Sequence, residues 1–399
     1  MLTLDTVYKA AHTLKEVARK TDVIPAKTIG GESACELYLK TENLQLTGSF
    51  KLRGAYYKMS TLSQEEKSKG VVACSAGNHA QGVAFAAQKL GIKSTIFLPM
   101  VAPLSKIEAT ERMGAEIKLI DGIYDDAYKA SIEYKDKTDS TFLHPFDDES
   151  VIAGQATVAL EILDQIDHLD AVVVPVGGGG LISGIAFVIK SLNPQCKVYG
   201  VQAEGAASMK KSLDEKKQSE VESVSTFADG IAVKKSGKTT FEMCSKYVDE
   251  VVTVSDDEIA TAILTLMEKQ KLVAEGAGAA AVAAIQFNKL PLKGKKVCAI
   301  VSGGNIDVNI LSRVIHRGLS RSGRLSALTI ELLDKPGQLH DISQIIASNG
   351  ANVVGVLHDR NQENPTINDC NLQLSLETRN FEHIVAIKKQ LSDRGYKLK

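Results

Sequence analysis

The chain has 399 residues, 44% of them hydrophobic and 24% charged, with a formal net charge of −1 at pH 7. That balance describes a globular chain of two or three domains and leaves no electrostatic case for nucleic acid or an anionic membrane. The 6 cysteines lie far apart without a CxxC pair, so they read as reduced thiols of a cytoplasmic protein rather than disulfides or a zinc site.

The first residues carry no apolar signal core, because Asp5 and His12 interrupt it; they predict an amphipathic helix from Leu2 to Lys20, ended by Ile24-Pro25. Glu36 to Lys40 alternates as a strand does. Then comes Ser49-Phe50-Lys51-Leu52-Arg53-Gly54, opening a helix over Ala55 to Met59. Ser49 is expected to cap that helix, which puts Lys51 in its first turn, where the helix dipole opposes a positive charge. Alone, such a lysine reads as a solvated surface residue. Beside an aromatic ring and with a lowered pKa, it suits Schiff-base chemistry, since only a neutral amine attacks an aldehyde.

Gly70 to Cys74 is a continuous apolar run, the pattern of a buried parallel strand. It empties into Ser75-Ala76-Gly77-Asn78-His79-Ala80-Gln81-Gly82 and a helix from Val83 to Leu90. Backbone N–H groups in such a loop suit a carboxylate or phosphate, although Asn78 and His79 would also serve as plain capping residues. Strand 95–99, helix 104–113, strand 116–120 and helix 124–134 continue a βαβα run, hence a parallel sheet. His144-Pro145-Phe146-Asp147-Asp148 reads as a crossing between two subdomains, and His144 as structural.

A second run follows with helix 153–166 and strand 171–176, which ends in Gly177-Gly178-Gly179-Gly180-Leu181 before a helix near Ser183. Consecutive glycines let N–H groups close around a dianionic phosphate. The dinucleotide and P-loop spacings both fail, since Ile182, Ser183 and Ile185 stand where glycine or lysine would be required. A structural glycine turn stays open as the alternative. After strand 197–202, Ser208 to Glu222 reads as a polar surface segment. Strand 251–254 and helix 257–270 precede Glu275-Gly276-Ala277-Gly278-Ala279, which opens an alanine helix. The run Val273 to Phe287 is too short to span a bilayer. Strand 296–301 ends in Ser302-Gly303-Gly304-Asn305, at the edge of a parallel sheet where ligands collect.

Gly318 to Arg324 reads as a linker. Beyond it the pattern is βαββαβ, a ferredoxin-like unit, and Leu333-Asp334-Lys335-Pro336-Gly337-Gln338-Leu339 resembles the start of an ACT domain.

Together, Ser49-Phe50-Lys51, Ser75 to His79, Gly177 to Gly180 and Ser302 to Asn305 resemble the fold-type II pyridoxal phosphate enzymes, most closely the threonine/serine dehydratases. The resemblance runs from about Thr6 to Gly318. It implies an α/β catalytic domain over 1–320, with a small subdomain over roughly 48–150 inserted in a large one. A linker over 321–325 and an ACT-type regulatory domain over 326–399 complete the expected organisation. It implies pyridoxal 5'-phosphate as cofactor, with Phe50, Lys51, Asn78, Gly177, Gly178, Gly179, Gly180, Leu181 and Ser302 holding it. Lys51, Ser75, Asn78 and His79 are the expected catalytic set, and no metal is expected.

The implied reaction turns L-threonine into 2-oxobutanoate and ammonia, with L-serine to pyruvate as a side activity. Ala76 stands where related serine racemases carry a second acid/base serine, so racemisation is disfavoured. A hydroxyl at Ser302, in place of a carboxylate, leaves the cofactor nitrogen neutral and favours elimination over transamination. Glu275 resembles an active-site glutamate but would equally serve as a helix N-terminal charge. Glu204 resembles a cation ligand, with Ser208 and Lys210 where further oxygens belong. The expected partners are an amino-acid substrate and an amino-acid effector bound near Gly337 and Asn352, in a homodimer or homotetramer. β-Replacement on the same fold and a non-enzymatic amino-acid sensor are the competing readings, and isoleucine synthesis and threonine breakdown both stay open.

Overall fold

A computed structural model describes residues 2–30, 34–102, 104–360 and 369–399. The chain forms two compact units, Met1–Asp307 and Val308–Lys399.

The larger unit holds two sheets. Its six-stranded sheet runs in the order Val23–Pro25, Glu36–Lys40, Lys296–Ile300, Ala171–Pro175, Lys197–Ala203, Glu250–Val254. Only the first pair is antiparallel. The four-stranded sheet is parallel throughout, in the order Glu116–Ile120, Ser94–Pro99, Val71–Cys74, Thr141–Phe142. All its strands fall in sequence between Glu36–Lys40 and Ala171–Pro175, so the smaller sheet is an insertion in the larger. Ala171–Pro175 and Val71–Cys74 are buried along their whole length, as the unbroken apolar runs require of strands covered on both faces.

The helix Lys51–Ser60 lies between the two sheets in sequence and packs against Asn78–Leu90 and Glu149–Gln165. Its approach to Glu149–Gln165 depends on glycine: a Cβ at Gly154 would fall 2.5 Å from the Arg53 carbonyl oxygen and 2.7 Å from the Gly54 Cα. Asp148 caps the same long helix by accepting from the N–H groups of Ser150 and Val151 at 2.8 and 3.0 Å.

Three expectations need correction. Phe50, not Ser49, occupies the cap position of Lys51–Ser60 and makes no side-chain cap bond. Ser49 instead bridges to Gly303 as an isolated antiparallel pair, which draws its side chain into the interior. Ser208–Asp214 is a helix with Ser208, Met209 and Ser212 buried, not a surface segment; its serines satisfy backbone groups, Ser208 through the Val233 carbonyl and Ser212 through the Ser219 N–H. The segment read as a linker is helical as far as Arg321, within Val308–Arg321. Its Gly318 and Arg321 sit on an amphipathic helix, Gly323 and Arg324 follow it, and Leu325 already begins a strand.

The second unit carries an antiparallel sheet ordered Asn352–Asp359, Asp369–Glu377, Leu325–Leu333, Lys397–Leu398, with helices Gln338–Ser348 and Phe381–Asp393 between strands. This is the ferredoxin-like βαββαβ topology. Leu328, Ile330, Leu372, Leu374 and Leu376 pack under Ile342, Ile346 and Ile387 on one face. Among the described residues no helix is long and apolar enough to cross a membrane.

Candidate active site

Lys51 is the first residue of its helix, and its Nζ donates to the Pro145 carbonyl oxygen at 2.8 Å. The Phe50 ring centroid lies 5.4 Å from that nitrogen. Burial lowers the Lys51 pKa to about 8, while the Glu275 carboxylate opposes the shift. The expected lowering is therefore present, but with no serine cap behind it.

Asn78 opens the helix Asn78–Leu90. Its Nδ2 donates to Glu275 Oε1 at 2.6 Å, and its Oδ1 accepts from Asn305 Nδ2 at 2.8 Å. Asn305 Nδ2 also reaches the Thr47 carbonyl at 2.8 Å and Gln81 Oε1 at 3.2 Å. This knot joins two of the motifs, and Thr47 just ahead of a third, across more than two hundred residues of chain. Glu275 is buried, and burial together with the Asp229 charge raises its pKa to about 7 against the hydrogen bond from Asn78. It occupies the cap position of the helix Gly276–Gln286 without a side-chain cap bond, and its carboxylate bonds Asn78 instead. Ser75 Oγ accepts from the Gly77 N–H at 3.2 Å. His79 Nε2 lies 2.8 Å from the Leu143 carbonyl, and burial holds its pKa down at about 3. The ring is therefore neutral and donates, and its Nδ1 has no partner among the described residues. Along the helix the first intrahelical bond comes from Gln81 to the Gly77 carbonyl, which leaves the N–H groups of Asn78, His79 and Ala80 ahead of the ladder.

The glycine loop repeats that design. The helix Gly180–Leu192 begins three residues earlier than the side-chain pattern predicts, because glycines carry no apolar periodicity to read. Ser183 donates the first ladder bond to Gly179 at 2.9 Å, so the N–H groups of Gly180, Leu181 and Ile182 stand free of it. Gly179 has φ +99°, a left-handed conformation that favours glycine. Phe146 crosses the loop so closely that a Cβ at Gly178 would lie 2.4 Å from its ring, and one at Gly180 would lie 2.9 Å from its Cα. Pro145 and Phe146 thus link Lys51 to the glycines, a connection with no motif to announce it. Ser302 is buried beyond Lys296–Ile300, and its carbonyl accepts from the Phe50 N–H at 3.2 Å.

Behind Lys51 lies a feature that the sequence patterns did not signal. Arg53 is 1% exposed and donates to both Glu42 oxygens at 2.8 Å and to Glu161 at 2.6 and 2.9 Å. Buried Lys40 reaches Glu161 Oε2 at 2.5 Å. The only sequence trace was two charges, Lys40 and Glu42, beside an apolar strand.

These residues fit pyridoxal phosphate. A lysine amine with its pKa lowered to about 8 meets an aldehyde's need, free N–H groups at a helix head meet a phosphate's, and Ser49 Oγ is buried without a partner among the described residues. Glu204 is exposed in a short 3-10 turn.

Residues 14–303 match the family described as pyridoxal-phosphate dependent enzyme. The chain is 50% identical over 399 residues to an L-threonine ammonia-lyase of Thermotoga maritima, covering 100% of this chain and 99% of that one. Among solved structures, the processed form of threonine deaminase isoform 2 from Solanum lycopersicum superposes with TM-score 0.74 at 38% identity, over 79% of this chain and 94% of that one. Serine racemase from Dictyostelium discoideum gives 0.73 at 36% identity, over 77% and 99%. The parallel sheets, the partly buried lysine and the glycine-headed helix thus have a shared origin, and the chain belongs to the pyridoxal-phosphate dependent enzymes of fold type II.

Proposed function

We propose that this protein is an L-threonine ammonia-lyase, forming 2-oxobutanoate and ammonia, with L-serine as a slower substrate. One observation carries the reading: the Lys51 amine, drawn toward neutrality, is held on the Pro145 carbonyl, next to Phe146 at the head of Gly180–Leu192, and its own helix packs against Asn78–Leu90. The full-length relative of that name supports it.

Gly177 to Gly180 and the Leu181 N–H would hold the cofactor phosphate, Phe50 would pack on the ring, and Asn78 and Ser302 would meet its polar edges. When bound, pyridoxal phosphate supplies the aldehyde that Lys51 holds and the conjugated ring that accepts the electron pair left at the substrate Cα. The substrate carboxylate sits on the N–H groups at the head of Asn78–Leu90, where the helix dipole favours an anion. Lys51 Nζ takes the Cα proton as general base and returns a proton to the departing β-hydroxyl. Ser75 shapes the loop through the Gly77 N–H, and His79, neutral and tied to Leu143, anchors it. Ala76 offers no atom that could move a proton on the opposite face, which supports elimination over racemisation.

Residues 326–399 act in this reading as an ACT-type sensor. Gly337, with φ +96°, heads the helix Gln338–Ser348 beside a cavity of about 470 Å³, where an amino-acid carboxylate would bind. Asn352 does not share that cavity; its amide donates to Glu377 Oε2 at 2.9 Å at the far end of its strand.

The test is an absorbance spectrum of the purified protein before and after L-threonine, with 2-oxobutanoate assayed in the same sample. A visible cofactor band that shifts as oxoacid accumulates is expected. A band without oxoacid from threonine or serine would overturn the lyase reading in favour of replacement chemistry. Lys51→Ala should abolish turnover in a folded protein.

A further inference from the structure

In the second unit, three strands bring together groups that the reaction does not use. Cys370 pairs in register with Leu332, and His358 pairs with Leu372. Side chains two apart share a sheet face, so Cys370, His358 and Asp334 (two residues beyond Leu332) project on one face at one end of the sheet. The structure bears this out. His358 Nε2 lies 2.9 Å from Cys370 Sγ and 3.7 Å from Asp334 Oδ1, and all three ligand atoms lie within 4.8 Å of one another. Cys370 is fully buried, whereas His358 and Asp334 are exposed and line the cavity next to Gly337.

We propose that Asp334, His358 and Cys370 form a binding site for a divalent transition cation of the zinc class. The donor set argues for that class: a sulfur and an imidazole exclude magnesium and calcium, which take oxygen ligands. The geometry argues for it as well. A tetrahedral zinc ion separates its nitrogen, oxygen and sulfur ligand atoms by about 3.3 to 3.7 Å. The exposed His358 and Asp334 side chains reach that spacing by rotation about their χ angles, with Cys370 fixed in the core. Arg360 supplies the outer support, donating through Nε to Asp334 Oδ2 at 2.8 Å and through Nη2 to Oδ1 at 3.2 Å. It orients the carboxylate and leaves oxygen lone pairs for the ion. Three protein ligands leave a fourth position, and it opens on the cavity. The site does not rest on the lyase reading, and it shares its cavity with the effector reading.

The experiment uses the full-length protein, stripped with a chelator and titrated with Zn²⁺ alone against a chromophoric competitor, then with Co²⁺ alone for its electronic spectrum. One Zn²⁺ per chain and a thiolate-to-cobalt charge-transfer band are expected. Cys370→Ser should remove the band, and His358→Ala and Asp334→Asn should each weaken Zn²⁺ binding at least about tenfold. No stoichiometric binding, or a band and affinity that persist in Cys370→Ser, would overturn the proposal. Since Cys370 is a core residue, circular dichroism accompanies each variant. If Cys370→Ser does not fold, the exposed Asp334→Asn decides alone: unchanged Zn²⁺ affinity overturns the site.

Discussion

The lowered pKa of Lys51 has a measurable consequence for how the cofactor-free protein captures pyridoxal phosphate. An ordinary lysine at 10.5 is about 0.03% neutral at pH 7, whereas one at about 8 is about 9% neutral, a gain of about 300-fold in attacking amine. The capture rate should therefore rise about tenfold per pH unit below pH 8 and level off above it, with the plateau about two and a half units earlier than a free lysine would give. Glu275→Gln sharpens the test. The Glu275 carboxylate favours the charged amine and holds the lysine pKa up; its own pKa of about 7 means that it is ionised where Lys51 titrates. Neutralising it should move the midpoint to lower pH. Stopped-flow absorbance at the cofactor band, with pyridoxal phosphate in excess, reads both rates. A capture rate still climbing at pH 10, or a midpoint that moves upward in Glu275→Gln, would refute the reasoning.

Other perturbations probe the frame around that lysine. Arg53→Met strands the Glu42 and Glu161 carboxylates and should cost about 3 to 5 kcal/mol in urea denaturation; a loss under about 1 kcal/mol would mean that the network is not held together by charge. Gly180→Ala drives a Cβ to 2.9 Å from the Phe146 backbone and should weaken pyridoxal phosphate binding at least about tenfold, or about 1.4 kcal/mol, with the fold intact by circular dichroism. Asp148→Ala removes the cap of Glu149–Gln165 and the 2.8 Å pair with Lys58; a stability loss of about 1 to 2 kcal/mol is expected from equilibrium unfolding. Ser302→Asp should slow elimination, and unchanged turnover would remove the argument from cofactor-nitrogen charge.

The strands Glu36–Lys40 and Glu116–Ile120 were legible to the residue, because the alternation of a strand lies in the side chains themselves. The four motifs could be read as candidate chemistry for the same reason. What escaped was set by tertiary contact. The two-residue strand Thr141–Phe142 exists only because Val71 and Val72 pair with it. The buried Arg53 cluster looks like surface charge until Glu161, a hundred residues on, closes over it. Ser49 is a good capping residue by type, yet its backbone pairing with Gly303 takes it elsewhere. Val308–Arg321 was masked by a glycine and arginines that suit a linker as well as an exposed helix face.

In the proposed reading, the two helix heads at Asn78 and Gly180 hold their anions with main-chain N–H groups that stand free of the helix ladder. Those groups survive nearly any exchange of neighbouring side chains, so the grip is sheltered from mutation while the catalytic outcome is not. A change at Ala76, which presents only a methyl group, could redirect the chemistry without loosening the substrate or the cofactor. Lineages built on this scaffold can therefore explore new reactions from an already bound state, and solved structures of a deaminase and a racemase overlay this chain almost equally well.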